Sequence, residues 1–208
     1  MTSFIRRSNA ALILILAAAV AAPAALAATT PKQLVQRTIG ETVLVLQDAT
    51  LDREQKWEKI ADTVRGVFDF RSMSQSILAS NWQSATPEEK EDFIAYFSEY
   101  LEEFYRTKIE TYTNQRIETI GETVAGDRAS VDTVIVTDSA RIPVTYKLKN
   151  NDGEWFVYDV VVEGVGLVNN YRQTYAPIVK NDGMEGLLSE IKANIDSYRA
   201  DALVKQAE

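Results

Sequence analysis

The apolar positions between residues 31 and 81 recur every three or four residues, which is the spacing of amphipathic helices. The first run predicts a helix over Pro31–Gln47, and a second run from Trp57 to Val67 predicts another. A third helix is expected to open at Asp69, because a carboxylate is favoured at a helix N-terminus, and to have Asn81 near its end. All three are interpreted as packing helices.

A longer helix is predicted to follow the segment Thr86-Pro87-Glu88-Glu89. Thr86 suits the N-cap, Pro87 suits the first helical position, and Glu89 is placed to close a capping box. The helix carries one apolar stripe that consists of Phe93, Tyr96, Phe97, Tyr100, Leu101, Phe104, Tyr105, Ile109 and Tyr112. Acidic residues such as Glu102 and Glu103 are expected to face solvent. The stripe fits either an aromatic core or the wall of a ligand site. The tyrosines favour a ligand wall slightly, because their hydroxyls need hydrogen-bond partners or a water-accessible rim.

After residue 114 the apolar period changes to two, which is typical of β-strands. Four strands are predicted, at 116–124, 129–136, 141–149 and 155–162, and the short turns between them indicate an antiparallel meander. The apolar face of the third strand consists of Ile142, Val144, Tyr146 and Leu148. Its other face is expected to meet water. Pro143 lies on that second face and predicts a sheet edge or a bulge, since proline cannot donate to a strand ladder.

The stretch Glu154–Arg172 carries the change from sheet to helix. Its strand is β-branched or aromatic throughout apart from Asp159, so we expect it to be covered on both sides. Two glycines then end the sheet pattern, and apolar residues from Leu167 to Tyr175 return to helical spacing. A break at Asn181-Asp182-Gly183 precedes a last amphipathic helix. The order of elements is helices, then an antiparallel sheet, then closing helices. This order predicts an α+β fold in which the sheet wraps an apolar interior.

Residues 1–27 have the pattern of a secretory signal peptide. Arg6 and Arg7 precede an apolar run, and Ala25-Leu26-Ala27 supplies the small residues of a cleavage site. The run is shorter than the roughly 20 apolar residues that a membrane span needs. The chain has no cysteine, hence neither a lipid-attachment site nor a disulfide. We therefore expect a soluble, exported protein that forms one domain at residues 28–208.

The predicted mature chain is acidic. Removing residues 1–27 takes away two arginines and no acidic residue, so the formal net charge moves from −8 to −10. Nucleic-acid binding depends on clustered lysine and arginine, and adhesion to anionic lipid surfaces does as well. The charge therefore argues against a nucleic-acid partner, and its simplest interpretation is solubility.

Catalytic chemistry is restricted because the chain has neither histidine nor cysteine. This removes the usual general base near neutral pH, the thiolate nucleophile and the commonest transition-metal ligands. Asp159 is the best remaining candidate, since burial in an apolar strand raises the pKa of a carboxyl group and can poise it as a base. The alternative is a structural aspartate bonded to the backbone or to an arginine such as Arg172.

The segment VYDVVVEGVGLVNNYR, at residues 157–172, resembles the signature of the MlaC family, the soluble periplasmic phospholipid carriers of Gram-negative bacteria. The resemblance rests on a valine-rich strand followed by Glu163-Gly164, Leu167-Val168 and Asn170-Tyr171-Arg172. One departure is Gly166, where the family pattern has serine. A Phe-Asp-Phe segment with a methionine, leading to Trp82, is similar as well.

This resemblance implies a fold similar to nuclear transport factor 2 with added helices, and a non-enzymatic carrier that moves phospholipid between the outer and inner membranes to maintain outer-membrane lipid asymmetry. It implies no cofactor, with a diacyl phospholipid as cargo. The implied partners are an outer-membrane lipoprotein-porin complex and an inner-membrane ABC transporter with an MCE domain, and we expect a monomer. The alternatives are an enzyme of the ketosteroid-isomerase type that uses Asp159, or a ligand-free interaction module with a filled core.

For a carrier, the pocket is expected between the aromatic stripe of the long helix and the sheet. The predicted lining residues are Phe97, Tyr100, Leu101, Phe104, Tyr105, Val144, Tyr146, Val160, Leu167 and Tyr171. Asn169, Asn170 and Arg172 are expected at the mouth, where a lipid phosphate can meet hydrogen-bond donors. A structural salt bridge from Arg172 to Glu163 or Asp159 is the alternative for that arginine.

Overall fold

The computed structural model describes residues 29–110 and 116–207. The predicted signal peptide and Tyr112 lie outside these ranges. Helix α1 spans Pro31–Gln47 as predicted, and α2 spans Arg53–Val67. Each begins with a capping box, in which Thr30 pairs with Gln33 and Asp52 with Gln55. Both helices are therefore fixed by local polar contacts at their N-termini.

Helix α3 is shorter than predicted. It spans Phe70–Leu78, with the Asp69 carboxylate accepting the Ser72 N–H at 2.7 Å as an N-cap. The helix ends at Ala79, which has a φ of 51°, and a separate short helix α4 follows at Ser80–Ser84. The prediction that one helix has Asn81 near its end is therefore wrong, because a positive φ at Ala79 redirects the chain.

Helix α5 spans Pro87–Glu110 and begins with the predicted capping box. The Glu89 N–H donates to Thr86 Oγ1 at 3.2 Å, and the Thr86 N–H donates to Glu89 Oε2 at 2.7 Å. Each of the two residues accepts a hydrogen bond from the backbone N–H of the other, and these amides have no partner within the helix. The predicted helix start is therefore confirmed.

In the part of the chain that the structure describes, the sheet has five strands, where four were predicted. They are β1 Arg116–Ala125, β2 Arg128–Val136, β3 Arg141–Asn151, β4 Glu154–Val162 and β5 Val165–Gly166. Neighbouring strands are antiparallel and follow in the order β1-β2-β3-β4-β5. The additional strand β5 is a two-residue return after a turn at Glu163 and Gly164, which have φ values of 49° and 84°. The predicted meander and the α+β class are confirmed.

Pro143 lies inside the sheet, so the prediction of an edge is wrong. It faces Val134 of β2, and β3 lies between β2 and β4. The bulge in the β3–β4 ladder lies elsewhere, between Lys147 and Leu148. The carbonyl of Pro143 accepts the Glu163 N–H at 3.0 Å, beyond the end of β4. A strand residue directs its nitrogen and its carbonyl to the same side, so the missing N–H interrupts no bond within the ladder.

Helix α6 spans Leu167–Ala207 and is interrupted at Gly183, where φ is 72° and ψ is −173°. The predicted break is confirmed, since only glycine adopts such a conformation without strain. In the described residues, no helix combines the length and the apolar character that crossing a bilayer requires.

The described residues form two buried apolar clusters. The helical cluster is built from α3, α5 and α6 and includes Met73, Ile77, Phe93, Phe97, Leu101, Tyr171, Tyr175, Leu187 and Ile191. The sheet cluster is built from α1 and strands β2–β4 and consists of Leu34, Val35, Ala129, Val131, Val144, Leu148, Val157 and Val160. Phe68 and Leu167 are partly buried and pack against both clusters. These two side chains define the seam between the clusters.

Candidate functional site

The aromatic stripe of α5 packs against α6. The rings of Phe97 and Tyr171 are 5.2 Å apart at 78°, and those of Tyr100 and Tyr171 are 5.7 Å apart at 90°. Phe104 extends the layer, with its ring 4.9 Å from that of Tyr105 and 5.7 Å from that of Tyr198. Edge-to-face contacts of this kind add to the stabilisation that burial provides. One wall of the helical cluster is therefore aromatic along most of its length.

The hydroxyl groups within this layer remain neutral at physiological pH. Burial raises the pKa of Tyr100 to about 12, and it raises the pKa of Tyr171 and of Tyr175 further. The buried environment of Tyr146 on β3 also raises its pKa to about 12. Neutral hydroxyls form hydrogen bonds in an apolar layer without introducing charge, and Tyr100 bonds in this way to Tyr171 and Tyr198.

The structure divides the predicted lining residues between the two clusters. Phe97, Leu101 and Tyr171 are buried in the helical cluster, where Tyr100 and Tyr105 pack beside them. Val144 and Val160 are buried in the sheet cluster, and Tyr146 packs against them. Phe104 lies in the aromatic layer. Leu167 contacts both groups, so it is the point where the predicted walls come together.

Asp159 joins the sheet to the start of α6. Its Oδ2 accepts from Lys147 Nζ at 3.0 Å, and its Oδ1 accepts from the Val168 backbone N–H at 3.1 Å. The Asp159 side chain is 8% exposed. A carboxylate at the first turn of a helix also interacts favourably with the helix dipole. The structure therefore places Asp159 in a structural ion pair with a lysine, rather than with Arg172.

Gly166 lies directly against this carboxylate. A Cβ atom built at Gly166 would be 3.2 Å from Asp159 Oδ2 and 3.7 Å from Asp159 Oδ1. Serine, which the family pattern has at this place, would require the Asp159 side chain to shift by a few tenths of an ångström. Glycine therefore permits the close approach that brings Val168 onto Asp159.

The three predicted mouth residues, Asn169, Asn170 and Arg172, are exposed on the first turns of α6. Arg172 Nε donates to the backbone carbonyl of Ser76 at 2.8 Å, which ties α6 to α3. Within the described ranges, no ion pair joins Arg172 to Glu163 or Asp159, so the salt-bridge alternative is wrong. Arg172 bonds to a backbone carbonyl of α3 instead, because α3 packs along α6.

A second carboxylate anchor was not predicted. The Asp69 carboxylate lies 2.7 Å from Lys149 Nζ on β3, and the Asp69 N–H donates to the Val157 carbonyl at 2.8 Å. Burial opposes ionisation of Asp69, but hydrogen bonds from Lys149 and Ser72 outweigh it and lower the pKa below its usual value. Asp69 and Asp159 thus hold the starts of α3 and α6 to the same pair of strands. The sequence signalled only the N-cap role of Asp69.

The acidic pair on α5 does not face solvent as predicted. Arg65 of α2 donates to both oxygens of Glu102, at 2.8 and 2.5 Å, and Arg199 of α6 donates to Glu103 at 3.0 Å. The side chains of Glu102 and Glu103 are 10% and 11% exposed. These pairs hold α5 between α2 and α6, which covers the two carboxylates.

An open cleft lies away from these residues. It has a volume of about 520 Å³ and is lined mainly by the first turns of α5 and by α6, including Glu88, Asp92, Tyr96, Glu185 and Lys192. None of the predicted lining or mouth residues contributes to it. Among the residues that the structure describes, no group of three or more acidic side chains has the geometry to hold a metal ion.

The chain matches a protein family and two known proteins along most of its length. The model of the MlaC protein family matches residues 36–193. The chain is 30% identical over 219 residues to toluene tolerance protein Ttg2D of Pseudomonas putida, covering 100% of this chain and 95% of that protein. It is 24% identical over 191 residues to the intermembrane phospholipid transport system binding protein MlaC of Haemophilus influenzae, covering 87% and 89%.

The comparison with solved structures also gives a match. The fold is similar to that of a phospholipid-binding protein from Ralstonia solanacearum, which was solved in complex with a phospholipid. The TM-score is 0.73 at 18% identity, over 81% of this chain and 98% of that one. At this identity the likeness establishes a shared fold.

Proposed function

Because this chain belongs to the MlaC family, we propose that it is a non-enzymatic phospholipid carrier of the periplasm. In this proposal it shields the acyl chains of one lipid from water while the lipid moves between the outer and inner membranes, and so maintains outer-membrane lipid asymmetry. The names of the Haemophilus relative and of the Ralstonia structure support the choice of phospholipid as cargo. The predicted signal peptide supports export.

The observation that carries the proposal is the seam between the two apolar clusters. The helical cluster offers an aromatic wall, the sheet cluster offers a β-branched wall, and Phe68 and Leu167 contact both. Separation of the walls at these side chains would produce a slot lined by apolar atoms on both sides. Such a slot matches the shape and the polarity of acyl chains.

The two carboxylate anchors limit how the walls can separate. Asp69 holds the start of α3 to β3 and β4, and Asp159 holds the start of α6 to the same strands. In the proposed opening these helix starts stay fixed, while the part of α6 farther from the anchors moves away from the sheet together with α5, which packs against α6. Glu163 and Gly164, both with positive φ, connect β4 to β5 and α6 at the fixed end.

The free energy of exposing acyl chains explains why a carrier is needed. At about 0.8 kcal/mol per CH₂, two chains of about 15 methylenes each cost about 24 kcal/mol to expose to water, which makes unassisted desorption extremely slow. An apolar slot removes most of that cost. A bilayer shelters the chains equally well, so exchange between the protein and a membrane is near balance.

Docking partners must then direct the exchange. We propose an outer-membrane lipoprotein-porin complex on one side and an inner-membrane ABC transporter with an MCE domain on the other. The name of the Haemophilus relative, a binding protein of an intermembrane phospholipid transport system, supports partners of this kind. A monomer suits a carrier that visits two membranes in turn.

The surroundings of Asp159 favour a carrier over an enzyme of the ketosteroid-isomerase type. Both carboxylate oxygens are occupied, one by Lys147 and the other by the Val168 amide. A general base must lie within reach of the proton that it removes, whereas Asp159 is buried and directed at Lys147 and the start of α6. The contacts of Asp159 therefore support a structural role.

Substitution of Leu167 tests the seam. Leu167→Asp places a charge between the two walls, while aspartate at the first residue of α6 is favoured by the helix dipole, so the fold is expected to persist. We expect the folded variant to purify without phospholipid. Leu44→Asp is the matched control, because Leu44 is 70% exposed on α1. A folded Leu167→Asp protein that retains wild-type lipid content would reject the seam as the binding site.

A further inference from the structure

One buried hydroxyl in the helical cluster has no partner. Ser74 lies in the middle of α3 and is fully buried, on the same face as Met73, Ile77 and Leu78. Among the side chains and backbone groups that the structure describes, none forms a hydrogen bond with Ser74 Oγ. Burying a hydroxyl without a hydrogen bond is unfavourable, so this side chain needs an explanation.

Other helical hydroxyls of this protein satisfy themselves locally. Thr38 donates to the Leu34 carbonyl at 2.9 Å, and Thr63 donates to the Lys59 carbonyl at 2.9 Å, each four residues back along its helix. Ser74 makes no such bond to Phe70. Its hydroxyl is therefore available to a group from outside the chain.

Position on α3 indicates which part of a lipid reaches Ser74. Arg172 holds the Ser76 carbonyl near the predicted mouth, and Ser74 lies nearby on the buried face of the same helix, next to Met73. Along a diacyl phospholipid, the ester groups come between the headgroup and the tails. An ester carbonyl accepts hydrogen bonds but cannot donate, so an unpaired hydroxyl at this depth is complementary to it.

We propose that Ser74 Oγ donates a hydrogen bond to an ester carbonyl of the bound lipid, and that the protein thereby prefers ester-linked over ether-linked chains. The inference rests on the proposed function and deepens it, because it names the chemical linkage that the site recognises. A dialkyl ether lipid has no carbonyl oxygen, so it places no acceptor at the position that the ester carbonyl occupies. A diether lipid would therefore leave the Ser74 hydroxyl without a partner when it fills the same slot.

The test compares two phosphatidylethanolamines with chains of equal length, one diacyl and one dialkyl ether, loaded in competition onto delipidated protein. We expect the wild-type protein to retain the diacyl form about 5- to 30-fold better, which is the range that one buried hydrogen bond supplies. Ser74→Ala should bring the ratio close to one by weakening retention of the diacyl lipid. Lipid is quantified by mass spectrometry of the repurified protein.

Thr133→Val is the matched control. Thr133 is also buried, but its hydroxyl donates to the Val144 carbonyl at 3.0 Å. Its removal should destabilise the lipid-free protein and leave the ester-to-ether ratio unchanged. Ser74→Ala should not destabilise the lipid-free protein, since it removes a hydroxyl that has no partner there.

Three results would overturn the inference while leaving the proposed function in place. The first is equal retention of both lipids by the wild-type protein, which needs no variant and holds even where Ser74→Ala fails to fold. The second is a folded Ser74→Ala protein that keeps the wild-type ratio. The third is a loss of lipid-free stability in Ser74→Ala as large as that in Thr133→Val, which would mean that the hydroxyl is satisfied inside the protein. Retention of neither lipid by the wild type would instead reject the proposed function, and the inference about Ser74 with it.

Discussion

Replacement of Asp159 by alanine and by asparagine separates its two contacts. Alanine removes the acceptor for the Val168 N–H and the partner of Lys147 together. Asparagine keeps an oxygen that can accept from Val168 but loses the charge that attracts Lys147. Lys147→Met is the matched control, because it removes the ion pair and leaves the helix contact intact.

The structure gives a magnitude for each loss. The Lys147 side chain is 42% exposed, so its ion pair is screened by water and contributes about 0.2–1 kcal/mol. The hydrogen bond from Val168 has a charged acceptor on a buried side chain and contributes about 1.5–3 kcal/mol. We therefore expect Asp159→Ala to lower the free energy of unfolding by about 2–4 kcal/mol and Lys147→Met by about 1 kcal/mol or less. Asp159→Asn should lie between them, at about 1–2 kcal/mol, because its acceptor is neutral. At about 2–4 °C per kcal/mol for a domain of this size, the alanine variant melts roughly 4–16 °C lower.

Two assays check this reasoning. Thermal or urea unfolding measures the order of the three variants, and transfer of labelled phospholipid from donor to acceptor vesicles measures function at a temperature where all are folded. The Asp159→Ala loss should exceed that of Lys147→Met, and Asp159→Asn should transfer lipid at the wild-type rate. Equal losses for the alanine and methionine variants would refute the anchor. A folded, lipid-loaded Asp159→Asn protein without transfer would point to proton chemistry at this carboxylate.

Two further predictions concern the other polar contacts around α3. Arg172→Ala should lower the free energy of unfolding by about 1 kcal/mol, because it loses the hydrogen bond to α3. It should change the rate of lipid release more than the amount of lipid bound. A folded variant without lipid would instead make Arg172 a primary headgroup ligand. The lowered pKa of Asp69 means that its contribution is present above the unfolded value of about 3.9 and is lost as the pH falls through the folded value. Asp69→Asn should therefore lower the free energy of unfolding at neutral pH, and its stability should fall less than that of the wild type below about pH 4. Urea unfolding at several pH values checks this, and a loss of stability at low pH as steep as in the wild type would contradict the pairing with Lys149.

The parts of the fold that follow from local signals were predictable. The capping box at Thr86 and Glu89 and the break at Gly183 depend on neighbouring residues, and the strand periods depend on alternation within each segment. The end of α3 at Ala79 has no such signal, since alanine favours helix and rarely adopts the positive φ that it has here. Strand β5 is two residues long, too short for a period to show.

The polar contacts of the site depend on distant residues and were predicted only in part. Asp159 was expected to be structural, but its partner Lys147 follows from a cross-strand register that the sequence does not reveal. The partners of Glu102 and Glu103 are arginines 37 and 96 positions away. Ion pairs between residues so far apart in the chain depend on how the helices pack. The sequence alone therefore predicted that Glu102 and Glu103 face solvent.

The division of the apolar residues was equally hidden. Leu101 and Val144 were assigned to one pocket, and the structure places them in different clusters. A buried apolar side chain has the same sequence signature whether it contacts another residue or a ligand. Leu167 differs from the other lining residues because it contacts both clusters, and this follows from the packing of α6 against β4 and β5.

Native mass spectrometry of the protein purified from the periplasm tests the central claim most directly. The mild ionisation keeps noncovalent cargo bound, and a denatured sample provides the mass of the chain alone. A carrier should show an added mass equal to a diacyl phospholipid, and that mass should disappear on denaturation and be recovered in the organic extract. Folded protein that shows only the mass of its own chain, before and after incubation with phospholipid vesicles, would contradict the proposed function.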